Sequence, residues 1–233
     1  LCSQAMSISI IIPVLHEASV VNVLVDHIRK VECGERPEII VVDGDPAEGT
    51  LKAISRHDVR KITSPRGRGV QMNAGAREAE GGILLFLHAD TELPPDALRL
   101  VEAAMHDDGY VGGAFDLGIR SERFVFRVIE GAASLRSRLT KVPFGDQAVF
   151  LRRDYFEEIG GYKEIPVMED VEIMGRIRKR GDKIFIIPRR VLTSPRRWEK
   201  EGVLRCTMRN WLLQILYLLG ISPRRFSQLY RQG

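Results

Sequence analysis

The chain has 233 residues, 44% hydrophobic and 28% charged, with a formal net charge of +4. That balance excludes a disordered or fibrous chain and leaves length for one large domain or two small ones. Cys2, Cys33 and Cys206 are odd in number and lack a CxxC pair, which excludes a cysteine zinc site and points to a reducing compartment.

Residues 7–15, SISIIIPVL, are expected to form a buried strand, with Pro13 marking where pairing stops because proline has no ladder donor. A helix should follow from residue 16 to about 31. Residues 38–43, EIIVVD, form the second strand, and like the first it is continuously apolar, the pattern of parallel strands covered on both faces. Asp43 and Gly44 then open a tight turn at the sheet edge where open α/β sheets bind ligands. A helix over 50–57 and a strand over 59–63 lead to SPRGRGVQMNAGAREAEGG, a loop rich in glycine and arginine that becomes a helix near Gly69 and ends at Gly81-Gly82.

Residues 83–93, ILLFLHADTEL, end an apolar run in His88, Asp90 and Glu92. If the chain stays extended, alternation puts His88 and Asp90 on one face. A hard divalent ion needs few protein ligands there, whereas the plainer reading ends the strand at His88 and makes Asp90 a helix cap. Further elements are expected at 94–106 (helix), 110–119 (strand), 123–139 (helix), 147–151 (strand), 152–159 and 168–180 (helices) and 183–187 (strand). Alternating strands and helices predict a single Rossmann-like, mostly parallel sheet flanked by helices. No repeat or linker interrupts residues 1–199, and residues 200–233 read as a helical C-terminal appendage.

The late cluster Arg176, Arg178, Lys179, Arg180, Arg189, Arg190, Arg196 and Arg197 suits a phosphorylated ligand, an anionic membrane or nucleic acid. In the appendage, WLLQILYLLG is flanked by Arg205, Arg209, Arg224 and Arg225. It is too short to span a bilayer, which takes roughly 20 apolar residues. It is expected either to lie in a membrane interface or to pack on its own domain or a dimer mate. LCSQAM carries no secretory pattern, so the expected location is cytoplasmic, at most peripheral on the membrane.

Four segments in fixed order, IIPVLHE, VVDGDPAEGT, LLFLHADTE and GDQAVFLRRDYFEEIGGYKEIPVMEDVEI, together resemble the family 2 glycosyltransferases of GT-A fold over residues 7–198. RGRGVQMNAGA and HADT resemble a small bacterial subgroup, some of whose members are named for arsenosugar biosynthesis. The resemblance implies inverting transfer of a sugar from a nucleoside diphosphate sugar to a hydroxyl. Asp43 matches the base-contacting aspartate, and a carboxylate accepts the ring N–H that uracil has and cytosine lacks, so a UDP-sugar is expected. Pro13, Glu17 and Gly44 wall the nucleoside, Arg66 and Arg68 suit the diphosphate, and Asn73 matches an asparagine on the same helix.

Asp90 matches the second aspartate of the DxD signature, which implies Mn or Mg. His88 replaces the first, removing one charge and one hard oxygen. Asp170 matches the general base, with Glu169 beside it, and Gly145, Asp146 and Gln147 match a segment near the acceptor. Arg197-Trp198 match the end of the QxxRW motif, but Ser194 stands at its glutamine position, against processive polymerisation. Asp43 and Asp170 also have local readings as caps, and either arginine as a solvated surface charge.

Three other functions compete. The first is a nucleotide-sugar-binding protein without turnover, with His88 as the lesion. A nucleotidyltransferase would need a glycine-rich first loop where this chain has PVLHEASV. Nucleic acid is not expected, since no recognition module is present and aromatics are few. The expected partners are the donor, an unidentified and conceivably lipid-linked hydroxyl acceptor, and a membrane or second copy at the C-terminal helix.

Overall fold

The computed structural model describes residues 7–223 and 225. Cys2, the LCSQAM opening, Arg224 and the end of the appendage lie outside the described residues. Strand β1 (Ile8–Val14) pairs in parallel with β2 (Glu38–Asp43) on one side and with β4 (Ile83–Phe86) on the other, and β2 pairs in parallel with β3 (Arg60–Thr63). Because side chains alternate, these unbroken apolar runs fill two cores at once. Ile10, Ile12, Ile39 and Val41 pack with α1 (Val21–Ile28), α2 (Gly49–Ala53) and α4 (Ala97–Met105). Ile11, Ile40 and Val42 pack with α3 (Arg68–Glu78), α6 (Arg153–Glu158) and α7 (Glu169–Arg180).

Pro13 does not stop the pairing, because β1 continues in register to Val14 opposite Asp43. The carbonyl of Val14 accepts from Gly44 on the β2 side, so Pro13 faces the β4 side, where pairing has already ended at Ile11. No donor is missed there.

Among the described residues the sheet has eight strands in the order β3-β2-β1-β4-β7-β6-β8-β5. Past β4 it is mixed. Strand β7 (Phe150–Arg152) runs antiparallel to both β4 and β6 (Tyr110–Ile119), whereas β8 (Lys183–Thr193) is parallel to β6. Strand β8 outruns the expected 183–187 because a two-residue bulge, Phe115 facing Ile187 and Asp116 facing Arg190, lets it resume pairing to its end. Residues 145–147 form a short 3-10 turn, so the strand expected from Gln147 begins only at Phe150.

The extended reading of residues 87–93 is also corrected. The strand stops at Phe86, and Thr91 N–H donates to the His88 carbonyl at 3.1 Å, closing a turn that holds His88 and Asp90. The chain re-enters the sheet as β5 (Thr91–Glu92), antiparallel to β8.

Helix α5 (Phe124–Thr140) covers β6. Helices α8 (Arg196–Glu201) and α9 (Val203–Leu218) follow β8, separated by Gly202, whose φ of +86° breaks the helix. Among the described residues no helix is long and apolar enough to cross a membrane.

Candidate active site

The turn after β4, the 3-10 turn at 145–147, the first turn of α7 and the end of β8 meet at one end of the sheet. They enclose a cavity of about 180 Å3, whose lining includes Arg68, His88, Asp90, Asp146, Asp170 and Trp198. Helix α9 closes one side with Cys206, Asn210 and Leu213.

Asp170 is the second residue of α7. Its Oδ1 accepts the Val171 N–H at 2.8 Å and its Oδ2 accepts the Gly145 N–H at 2.7 Å. The first bond stays within the first turn of α7, whose N-cap is Met168, and the second ties the helix to the 145–147 turn. A Cβ on Gly145 would sit 3.0 Å from His88 Nε2 and 3.5 Å from Asp170 Oδ2. Glycine there lets the imidazole and the carboxylate approach the same backbone.

Asp146 follows, with Oδ1 buried and without a hydrogen-bond partner among the described residues. Burial, reinforced by the negative Asp170, pushes its pKa up to about 6. Arg136, stacked over Phe144 with the guanidinium carbon 3.6 Å from the ring centroid, supplies opposing positive charge to Asp146 and Asp170. His88 is driven down to about 3 by burial and then by Arg68, which keeps its imidazole neutral with a lone pair free. Asp90 is raised by burial against the pull of Arg196 and Arg120. Glu169 is buried and pairs through Oε1 with Arg68 Nε at 2.9 Å, while its Oε2 has no hydrogen-bond partner among the described residues. Burial raises its pKa and Arg68 opposes that shift.

Other sequence candidates make hydrogen bonds or ion pairs with the surrounding scaffold. Asn73 exchanges two hydrogen bonds with the Tyr162 backbone, 2.8 and 2.9 Å long, fastening α3 to the 160–162 loop. Gln147 is buried and bonds Ser137, Phe115 and Phe144. Asp43 is fully buried, Oδ1 accepting from Asp45 N–H and Oδ2 from Thr50 N–H, so it organises the turn that follows β2. Gly44 lies against Gln71, whose amide nitrogen bridges the Val14 and Val42 carbonyls. Glu17 pairs with Arg196, while Arg197 lines the cavity and also pairs with Glu201. Pro13 and Arg66 do not line the cavity, and Arg66 is exposed.

Sequence reading missed Arg136, Phe144 and the α9 wall. Phe144 and α9 reach the cavity through tertiary packing, Arg136 stacks on Phe144, and none carries a local motif.

Among the described residues no three His, Cys, Asp or Glu side chains group to hold a metal ion. An ion bridging a diphosphate needs only one or two protein ligands, and Asp90 with the neutral His88 offers that smaller set.

Residues 9–160 match the model of Glycosyl transferase family 2. The chain belongs to this family. A PGL/p-HBAD biosynthesis glycosyltransferase of Mycobacterium bovis is 34% identical over 171 residues, covering 66% of this chain and 62% of the relative. A dolichol-phosphate mannosyltransferase of Pyrococcus furiosus is 27% identical, covering 72% and 49%. The chain therefore spans less than two thirds of the length of these curated relatives.

Among solved structures, S. aureus TarS in complex with UDP superposes with a TM-score of 0.63 at 15% identity, covering 81% of this chain and 60% of that one. A mannosyltransferase from Pyrobaculum calidifontis, in complex with GDP-Man and Mn2+, gives 0.61 at 21% identity, covering 79% and 56%. These likenesses establish a GT-A fold, a curled and mostly parallel sheet between helices.

Proposed function

We propose that the chain transfers a sugar from a nucleoside diphosphate sugar to a hydroxyl acceptor with inversion, Asp170 acting as general base. The observation that carries this reading is the single cavity in which Asp90, Asp170 and Arg68 come together in a member of family 2. The acceptor oxygen attacks the anomeric carbon as the bond to the diphosphate breaks. The electron pair leaves on the diphosphate, and the hydroxyl proton passes to Asp170. A carboxylate suffices as base when the proton moves late, after the attacking oxygen has become acidic through bonding.

Arg68, released from Glu169, supplies planar donors for the diphosphate. Asp90 and His88 would hold Mn2+ or Mg2+, whose charge would offset that developing on the leaving diphosphate. The donor we propose is a UDP-sugar, and the GDP-Man complex of the P. calidifontis neighbour favours a GDP-sugar as the second reading. Asp43 contacts a base only after the turn from Gly44 to Thr50 shifts, since its carboxylate is fully buried under that turn. Thermal-shift titration with UDP, GDP and CDP, each with and without Mn2+, decides between these donors, because a ligand that binds only the folded chain raises its melting temperature. A shift with GDP alone would overturn the uridine assignment.

The proposed partner of α9 is an anionic lipid surface. Leu204, Met208, Trp211, Leu212, Ile215 and Leu219 recur at helical spacing and are all exposed, Arg205 is exposed beside them, and α9 contains no acidic residue. A lipid-linked acceptor would then meet the cavity from the opposite face of the same helix. Co-flotation of the full chain with anionic but not neutral liposomes is the expected result, and its absence from both fractions contradicts the assignment.

A further inference from the structure

Helix α5 turns an apolar face outward. Phe124, Val128, Leu135 and Leu139 are exposed and recur at the four- and seven-residue steps that keep side chains on one side of a helix. The opposite side is fixed: Phe126, Glu130 and Ser137 are buried, and Glu130 Oε1 accepts the Ile119 N–H at 2.6 Å, fastening α5 to β6. Gly131 and Ala132, also exposed, stand at the middle of the stripe. A Cβ on Gly131 would meet nothing within 4 Å. No neighbour among the described residues therefore calls for glycine there, and inside a helix it is weaker than alanine. The stripe is also symmetric. Phe124 and Leu139 are equidistant from the midpoint between Gly131 and Ala132, as are Val128 and Leu135, and so are Glu122 and Lys141, exposed just beyond the two ends.

We propose that this face pairs with the same face of a second copy of the chain, the two α5 helices running antiparallel and crossing at Gly131 and Ala132. A two-fold contact sets each residue against its mate, so Phe124 meets the partner's Leu139 and Val128 the partner's Leu135. The small central pair lets the helix axes approach to about 8 Å, the near end of the usual range, which gives Gly131 its use. Charge selects a second copy over an anionic membrane. Glu122 of each chain falls opposite the partner's Lys141, whereas an anionic surface would repel it. Arg127 and Arg138, at the edge of the stripe, already pair with Glu130 and Asp116 of their own chain. The symmetry sets Arg138 against Val125, and Arg127 against Arg136, which is turned onto Phe144, so no two exposed like charges meet. One helix face per chain is a small interface beside the roughly 800 Å2 per partner of a standard one, so dissociation in the micromolar range is expected.

Sedimentation velocity of the full chain between about 1 and about 300 μM tests this, and the wild type should pass from monomer to dimer across that range. Leu135→Glu should remain monomeric throughout, with unchanged far-ultraviolet circular dichroism because the position is exposed. Gly131→Leu adds apolar surface that a bilayer would favour, yet should weaken association at least about fivefold by obstructing the crossing point. Glu122→Lys should weaken it about threefold, and adding Lys141→Glu should restore it. A wild type that is monomeric at every concentration, a dimer that Leu135→Glu leaves intact, or a Glu122→Lys loss that Lys141→Glu does not recover would each overturn the proposal. A monomer that Leu135→Glu detaches from anionic vesicles would assign this face to lipid and likewise overturn it.

Discussion

The backbone N–H of Gly145 donates to Asp170 Oδ2 across 2.7 Å, joining two segments 25 residues apart beside His88. A side chain at 145 would press on both. Gly145→Ala is expected to lower transfer by about tenfold or more, since displacements near 1 Å at a reacting centre cost on the order of a hundredfold. Steady-state kinetics check it, and an alanine variant with wild-type kcat would show that the approach of His88 and Asp170 is dispensable.

Asp146 gives stability a signature in pH. Its pKa rises from 3.8 to about 6 on folding, because burial and Asp170 disfavour its charge. The folded state thus holds the proton more tightly than the unfolded chain. The stability this confers is complete below the unfolded pKa and is lost as pH rises through about 6. Asp146→Asn cannot titrate, so it should gain on the wild type by on the order of 2 kcal/mol between about pH 4 and about pH 7, less where solvent screens the carboxylate. His88 contributes an opposite slope, which cancels when variant and wild type are compared. Urea denaturation at several pH values measures the difference, and a pH-independent gap would contradict the assignment.

Asn73 separates scaffold from site. Asn73→Ala removes both bonds to the Tyr162 backbone and should destabilise the chain by about 1–3 kcal/mol. Nucleotide affinity should stay within about twofold, as no cavity-lining atom is lost. Chemical denaturation and isothermal titration check the two halves, and a loss of nucleotide affinity without a loss of stability would return Asn73 to the donor site.

Local pattern carried the parallel half of the sheet. The unbroken runs at Ile8–Val14 and Glu38–Asp43 announce strands buried on both faces, because only such strands need apolar side chains at every position. The antiparallel β7 was not legible, since FLR has the same composition whichever way it runs. The turn at His88 to Thr91 was hidden for a related reason: an apolar run does not say where pairing stops, and that limit is set by Ile11 ending its register with Phe86. Motif order marked His88, Asp90, Asp146, Asp170 and Trp198, which do line one cavity. It also marked Asn73 and Gln147, whose amides bond to the scaffold. Motif spacing records that a polar residue is required without recording which neighbour it faces.

The most direct measurement is sugar transfer by Asp170→Asn, with each nucleotide sugar whose nucleotide stabilises the wild type. The amide can keep one of the two backbone bonds, so folding should persist at a cost of about 1 kcal/mol. Transfer should fall by about a hundredfold to ten-thousandfold while the nucleotide-induced melting shift remains. Turnover within about twofold of wild type would show that Asp170 does not take the acceptor proton.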